Sequence, residues 1–341
     1  MKQARSTFRE LPVIRLALAQ PFLDAAQGAG ADTDSVLSPF GITSHAFDNA
    51  DMFLPAATMY DLVESLANAT GNPYIGAELG LALNPFDWSP LTGAAGQSRS
   101  VGDFLLRFSI DAYKDANSAV FQLETKGTRS SFREIRVAPG STKPRHNDAF
   151  TIAYILQVLH SAVGEQWDGR KVIAEVCDPD ALPQDLYNIR IATTSSDGAG
   201  LAFPCEWLLL EPEFQKRKSH PTPAHTGRAA PVSIVDALQV VLLSRLESVT
   251  LDSNQIAALC GMSRRTLSRK LASAGTSLNK EVAKLKAQRA QTLLTDTDKT
   301  VTDISRSIGY EDPTVFSRAF KRWTGLTPTQ FRASHDTTAN A

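Results

Sequence analysis

The stretch Ile256-Ala-Ala-Leu-Cys260-Gly261-Met262 returns 48 residues later as Ile304-Ser-Arg-Ser-Ile308-Gly309-Tyr310, and no other feature limits the fold as strongly. After one inserted residue the match resumes, Leu267-Ser268-Arg269 against Phe316-Ser317-Arg318 and Leu271 against Phe320. Each copy describes a short amphipathic helix that stops at a glycine, the residue that enters the left-handed region without a Cβ penalty. A capping residue follows, Ser263 in the first copy and Glu311 or Asp312 in the second, where Pro313 suits a first helical turn. Two helices joined by so tight a turn make a helix-turn-helix, whose second helix lies in the major groove of duplex DNA.

In the first copy that second helix is expected over residues 264–274. Leu267 and Leu271 then face inward, Ser263 stands at the head, and Arg264, Arg265, Thr266, Ser268, Arg269 and Lys270 face outward. In the second copy it is expected over residues 313–324. Phe316, Phe320 and Trp323 point inward, leaving Thr314, Val315, Arg318, Lys321 and Arg322 exposed or partly so. Between the copies, residues 277–294 read as one long helix on a skeleton of Val282, Leu285, Arg289, Leu293 and Leu294. At 1.5 Å per residue it spans about 27 Å. With the flanking turns, the two recognition helices fall roughly 34 Å apart, one turn of B-DNA. Arginine suits bidentate contact with guanine, whereas Thr and Ser serve phosphates or either base. Arg264, Arg265 and Arg269 in the first unit, and Thr314, Arg318 and Arg322 in the second, are therefore the expected base or adjacent phosphate contacts.

Charge distribution agrees. The net charge of −1 hides a basic end, with 15 Lys+Arg against 10 Asp+Glu in residues 233–341, and an acidic body, with 16 against 26 in residues 1–215. Such asymmetry favours nucleic-acid contact at the basic end. A chain of 341 residues exceeds one ordinary core, so about two domains are expected. The run KRKSHPTPAHTGRAAP has three prolines and no large apolar residue, so it has nothing to bury. It places a linker at residues 216–232, between domains at 1–215 and 233–341, and is where a change of domain arrangement would be absorbed.

The first domain reads as α+β. Met59, Leu62, Val63 and Leu66 fall at helical spacing until Gly71 and Pro73; Val101, Phe104, Leu105 and Phe108 form a second stripe. Ala149, Ile152, Ala153, Leu156, Leu159 and Val163 form a third. Residues 119–125 and 131–137 alternate as strands around Lys126-Gly127, a hairpin, and residues 171–176 suggest a further strand. After the linker the pattern is helical throughout, beginning with Val235, Leu238, Leu242 and Leu246.

Catalysis finds little support in the first domain. Its histidines, His45, His146 and His160, share no metal-ligand spacing, and His160 on an apolar stripe reads as a core or boundary residue. Cys177, Cys205 and Cys260 are odd in number and scattered, which points to a reducing compartment, a cytoplasmic protein and structural thiols rather than redox sensors. Asp178, Asp180 and Asp185 surround two prolines and read as an exposed loop. Arg129, Arg133 and Arg136 read as a solvated strand edge, with anion binding the lesser alternative. The apolar stretch at residues 13–23 is broken by Arg15 and Pro21, so it suggests neither a signal peptide nor a membrane span. No cofactor and no metal are expected.

Residues 233–333 resemble the DNA-binding domain of the AraC/XylS family of transcription regulators. The signature lies in Ile308-Gly309-Tyr310, Phe316-Ser-Arg-Ala-Phe320 and Gly325-Leu-Thr-Pro328-Thr-Gln-Phe331-Arg332. Two departures fall in the linking helix: Ser277-Leu278 replaces a common Ser-Pro pair, and Glu281 a frequent aromatic, which puts interhelix packing in question. Residues 10–210 resemble the arabinose-binding-type domain of one branch, through Thr70-Gly71-Asn72-Pro73, Gly80 and Leu201-Ala202-Phe203-Pro204. The resemblance implies a small-molecule effector of unspecified identity, a possible homodimer, contact with RNA polymerase and transcriptional activation. Two other readings stay open: a constitutive DNA-binding protein whose first domain only dimerises, and an enzyme fused to a DNA-binding module.

Overall fold

The computed structural model describes residues 11–339 apart from 85, 87, 138–141, 196, 214–228, 232 and 244–251. The chain parts into two units, Met1–Val232 and Ser233–Ala341. Most of the sequence-defined linker, and Leu246 of the first C-terminal stripe, lie outside the described residues.

The first unit opens with β1 (Val13–Arg15), α1 (Gln20–Gly28) and α2 (Thr33–Leu37), then β2 (Phe53–Pro55), which pairs antiparallel with β1. Helices α3 (Ala56–Ala69), α4 (Ile75–Ala82), α5 (Ser89–Gln97) and α6 (Val101–Asp111) follow. The rest comprises β3 (Ala119–Lys126), β4 (Arg129–Arg136), α7 (Arg145–Val163), β5 (Ile173–Val176), β6 (Arg190–Thr193) and β7 (Gly200–Pro204). The sheet runs β3-β4-β7-β5-β6 and is antiparallel except for the β5–β6 pair. The predicted hairpin is present, with Ala119 opposite Arg136 and Lys126 opposite Arg129. All six apolar positions expected on α7 are buried, and so are Phe150, Tyr154, Ile155 and Val158. The helix is therefore a central pillar, not a one-faced surface helix. Helix α4 can lie against it because two glycines face it. A Cβ on Gly76 would stand 2.4 Å from the His146 carbonyl oxygen, and one on Gly80 2.4 Å from that of Phe150.

Three sequence expectations change here. Strand β4 is interior, between β3 and β7, so Arg136 is not on a solvated edge. Its side chain is fully buried and ion-paired with Glu134 and Asp148, while Arg133 pairs with Glu175 and Arg129 donates to the carbonyls of Lys171 and Ala202. Asp180 and Asp185 are exposed as expected, but Asp178 is half-buried, caps the turn at Pro179–Ala181 and lies 3.8 Å from Arg145, so the aspartate loop is tied at one end. At the linker end, the Ala230 N–H donates to the Lys114 carbonyl at 2.7 Å, and the Pro231 carbonyl accepts from the Asn117 side chain at 2.7 Å. That end belongs to the first unit.

Among the described residues the second unit is wholly helical: α8 (Ile234–Leu243), α9 (Ser253–Leu259), α10 (Arg264–Ser273), α11 (Leu278–Asp296), α12 (Val301–Ser307), α13 (Pro313–Thr324) and α14 (Pro328–Ala339). Helix α11 packs against α8, α12, α13 and α14, so it is the spine of the unit. Around its C-terminal half, Leu293, Leu294, Ile304, Ile308, Phe316 and Phe320 form one cluster.

Candidate nucleic-acid interface and effector cavity

Each helix-turn-helix is built by local hydrogen bonds that the sequence supplies twice. Helix α9 starts at a capping box, Asp252 accepting from the Asn254 and Gln255 amides while Gln255 accepts from the Asp252 amide. It ends where Gly261 (φ 62°) donates to Ala258 and Met262 donates to Ala257. The second copy repeats this closure: Gly309 (φ 79°) donates to Arg306 and Tyr310 donates to Ser305. Both glycines occupy the left-handed region, which a Cβ would strain. The recognition helices then begin at Ser263, whose hydroxyl accepts from the Thr266 amide at 3.2 Å, and at Asp312, which accepts from the Thr314 amide at 2.7 Å. Asp312, not Glu311, is the cap of the second unit.

On α10, Leu267 and Leu271 are buried as expected, while Arg264, Arg265, Ser268 and Arg269 are exposed and Thr266 and Lys270 half-buried. Ser263 is exposed, but its hydroxyl lies 2.9 Å from that of Thr266, so both hydroxyls already serve the cap. On α13, Phe316 and Phe320 are fully buried and Trp323 half-buried; Thr314, Val315, Arg318, Lys321 and Arg322 are exposed. Helix α10 is one residue shorter than expected, and α11 begins one residue later, with Ser277 as its cap, and runs two further. Its 19 residues span about 28 Å.

The departure at Glu281 has a structural answer. Its buried carboxylate accepts from the Thr276 hydroxyl at 2.6 Å and from the Gln239 amide at 2.8 Å, tying α8 and the α10–α11 turn to α11. Burial pushes this carboxyl up, but the two hydrogen bonds together outweigh it and hold it below its ordinary range. A polar clamp occupies the position where an aromatic would pack. Two further positioning groups were not anticipated. The Lys286 ammonium sits 4.6 Å from the Tyr310 ring centroid, and Arg332 donates to the carbonyls of Leu294, Thr297 and Lys299. Arg332 thus holds the end of α11. Cys260 is buried beneath α9, and burial pushes its thiol up to about 12, as befits a structural cysteine.

The first unit holds a partly open apolar cavity of about 90 Å³ between α1, α3, α6, α7 and the sheet. Seven aromatic side chains contribute to its wall, and its polar groups include Tyr60, Ser118, Glu134, Asn147, Thr151 and Tyr154. The Tyr154 hydroxyl is buried and has no hydrogen-bond partner among the described residues. Sequence reading missed this site, although period-2 alternation does place Glu134 on the same inward face of β4 as Phe132. His160 lies outside it, stacked on Tyr187 at 4.2 Å and edge-on to Trp167, a boundary histidine as expected. Burial pushes the Cys177 thiol up to about 12, with the Asp148 carboxylate adding to the effect.

Known proteins place this architecture. The family model described as the arabinose-binding domain of AraC transcription regulator, N-term, matches residues 30–210, and a helix-turn-helix domain model matches residues 256–334. The ornithine utilization regulator of Pseudomonas aeruginosa is 24% identical over 345 aligned residues, covering 97% of this chain and 99% of that one. The regulator VqsM of the same organism is 40% identical over 73 residues, 21% of this chain and 22% of its own. The crystal structure of the regulator CdpR, also from Pseudomonas aeruginosa, is 17% identical and covers 88% of this chain and 96% of that one, with a TM-score of 0.35. No described helix is long and apolar enough to cross a membrane. With a family model covering more than half its length, the chain belongs to the AraC family of transcription regulators.

Proposed function

We propose that this regulator reads duplex DNA with α10 and α13 in successive major grooves, and that a small molecule held in the first unit's cavity biases that binding. The observation that carries the reading is the repeated device itself. Two helices, each capped, each buried on one side and basic on the other, are joined by a single 19-residue helix. Arg264, Arg265 and Arg269, with Thr314, Arg318 and Arg322, take the base-edge or adjacent phosphate contacts. Ser263, Thr266, Ser268, Lys270, Val315 and Lys321 flank them against the backbone. The work assigned to the chain is binding, not catalysis, in a cytoplasmic protein whose first unit also supports a homodimer. Activation would follow from contact between the DNA-bound second unit and RNA polymerase. A ligand acts only through different affinity for two arrangements of the protein, so its effect is bounded by that difference. The test is DNA binding by Arg265→Ala and Arg318→Ala across a salt series. Loss at one base position with an unchanged salt slope marks a base contact; a uniform loss with a shallower slope marks a phosphate contact. If neither variant weakens binding, these helices are not the readers.

A further inference from the structure

Among the described residues, Glu134 is the one carboxylate, and the one charged group, in the wall of the cavity. Its Oε2 accepts from Arg136 at 3.0 Å, but the same guanidinium also donates to Asp148. Asp148 is held from both sides, since its other oxygen accepts the Cys177 N–H at 2.9 Å. Two buried carboxylates therefore share one buried guanidinium, and of the two only Glu134 lines the cavity. Burial pushes the Glu134 carboxyl above its ordinary range, with Arg136 opposing and Asp148 adding to the rise, so a further cation beside it would favour its charged form. The same wall includes the rings of Phe22, Trp88, Phe108, Phe121 and Phe150, and the face of such a ring attracts cations.

We propose that this cavity takes a protonated amine on a compact aromatic or alkyl body. The ammonium pairs with Glu134, the body lies against the rings, and the orphan Tyr154 hydroxyl supplies the second polar contact. An anion would meet Glu134, with no cation among the described wall residues to receive it. A neutral ligand would leave Glu134 to capture a proton instead. Size agrees: a water needs roughly 10–15 Å³ in this measure, so about 90 Å³ suits one ring with a short side chain. This inference rests on the cavity being the effector site, as proposed above.

Three probes with one aromatic body separate the classes: 2-phenylethylamine, 2-phenylethanol and phenylacetate, titrated calorimetrically into the full chain. The amine is expected to bind at least tenfold tighter than the alcohol, with the acid showing no binding. That ranking needs no variant. Glu134→Gln is expected to remove the preference for the amine while leaving alcohol binding in place, and Tyr154→Phe, which keeps the shape, to weaken the amine about tenfold. Alcohol or acid binding as tightly as the amine overturns the cationic class and leaves the effector site standing. If none of the three binds, the effector-site reading fails with it.

Discussion

Replacing Arg332 by methionine should loosen the second helix-turn-helix while leaving the first nearly untouched. The guanidinium donates from Nε to Leu294 O at 3.1 Å and from Nη2 to Lys299 O at 2.7 Å; the Thr297 bond, at 3.4 Å, is long and adds little. The last carbonyls of α11 lack intrahelical partners and carry the negative end of the helix dipole. Each good bond, discounted for a half-buried donor, contributes about 0.7 kcal/mol, and the dipole about 0.5 kcal/mol. Methionine keeps the apolar stem, so packing is largely retained. The loss is then about 2 kcal/mol, which accelerates amide hydrogen exchange in α12 and α13 roughly 30-fold if opening is local. Exchange in α9 and α10 serves as the internal control and should change much less. A change below about threefold in α12 and α13 would refute the claim that Arg332 clamps the end of α11.

Other consequences can be checked separately. Arg265→Ala should lower affinity for the preferred DNA by roughly 1–3 kcal/mol without lowering the melting temperature, because its exposed side chain supports no core; electrophoretic mobility shift and calorimetry would show it. Tyr154→Phe should stabilise the ligand-free protein by about 1 kcal/mol, since a buried hydroxyl without a partner costs about 1–3 kcal/mol; chemical denaturation reads this, and a destabilised variant would contradict it. Burial pushes Glu64 up to about 7, so its protonated form favours the fold and stability falls as pH rises from about 4.5 to 7. Burial lowers His146 to about 4, with Arg145 adding to the effect, so its neutral form favours the fold and stability rises with pH between about 4 and 6.5. These slopes oppose each other across the shared window. Glu64→Gln should therefore make stability rise more steeply with pH there, and His146→Gln less steeply, each by up to about 1.4 kcal/mol per pH unit; denaturation curves from pH 4.5 to 6.5 that match the wild type in slope would exclude both assignments.

Local devices were readable from sequence because local rules build them. The glycine stops at 261 and 309, the Ser263 cap and the inward Leu267, Leu271, Phe316 and Phe320 all follow from backbone freedom, capping and helical period. The α6 stripe and the β3–β4 hairpin were legible for the same reason. Long-range partnerships were not. Nothing near Arg136 in sequence announces that β7 will flank β4 and bury the guanidinium beside Asp148 on α7. Glu281 looked like a packing defect because its partners, Gln239 and Thr276, become neighbours only after α8 docks on α11. The cavity escaped notice because its wall is assembled from six separate stretches of chain, and β1, β2, β6 and the shorter helices are too brief for periodicity to register.

The most direct measurement of the groove-reading account is selection of preferred duplexes from a random library by the full chain. Two conserved blocks should emerge, one for each recognition helix, centred about 10 base pairs apart on one face of the duplex, as the proposed reading of successive major grooves requires. Arg265→Ala should erode one block and Arg318→Ala the other. A single block, or two blocks whose separation varies freely, would contradict the rigid two-groove arrangement on which the account stands.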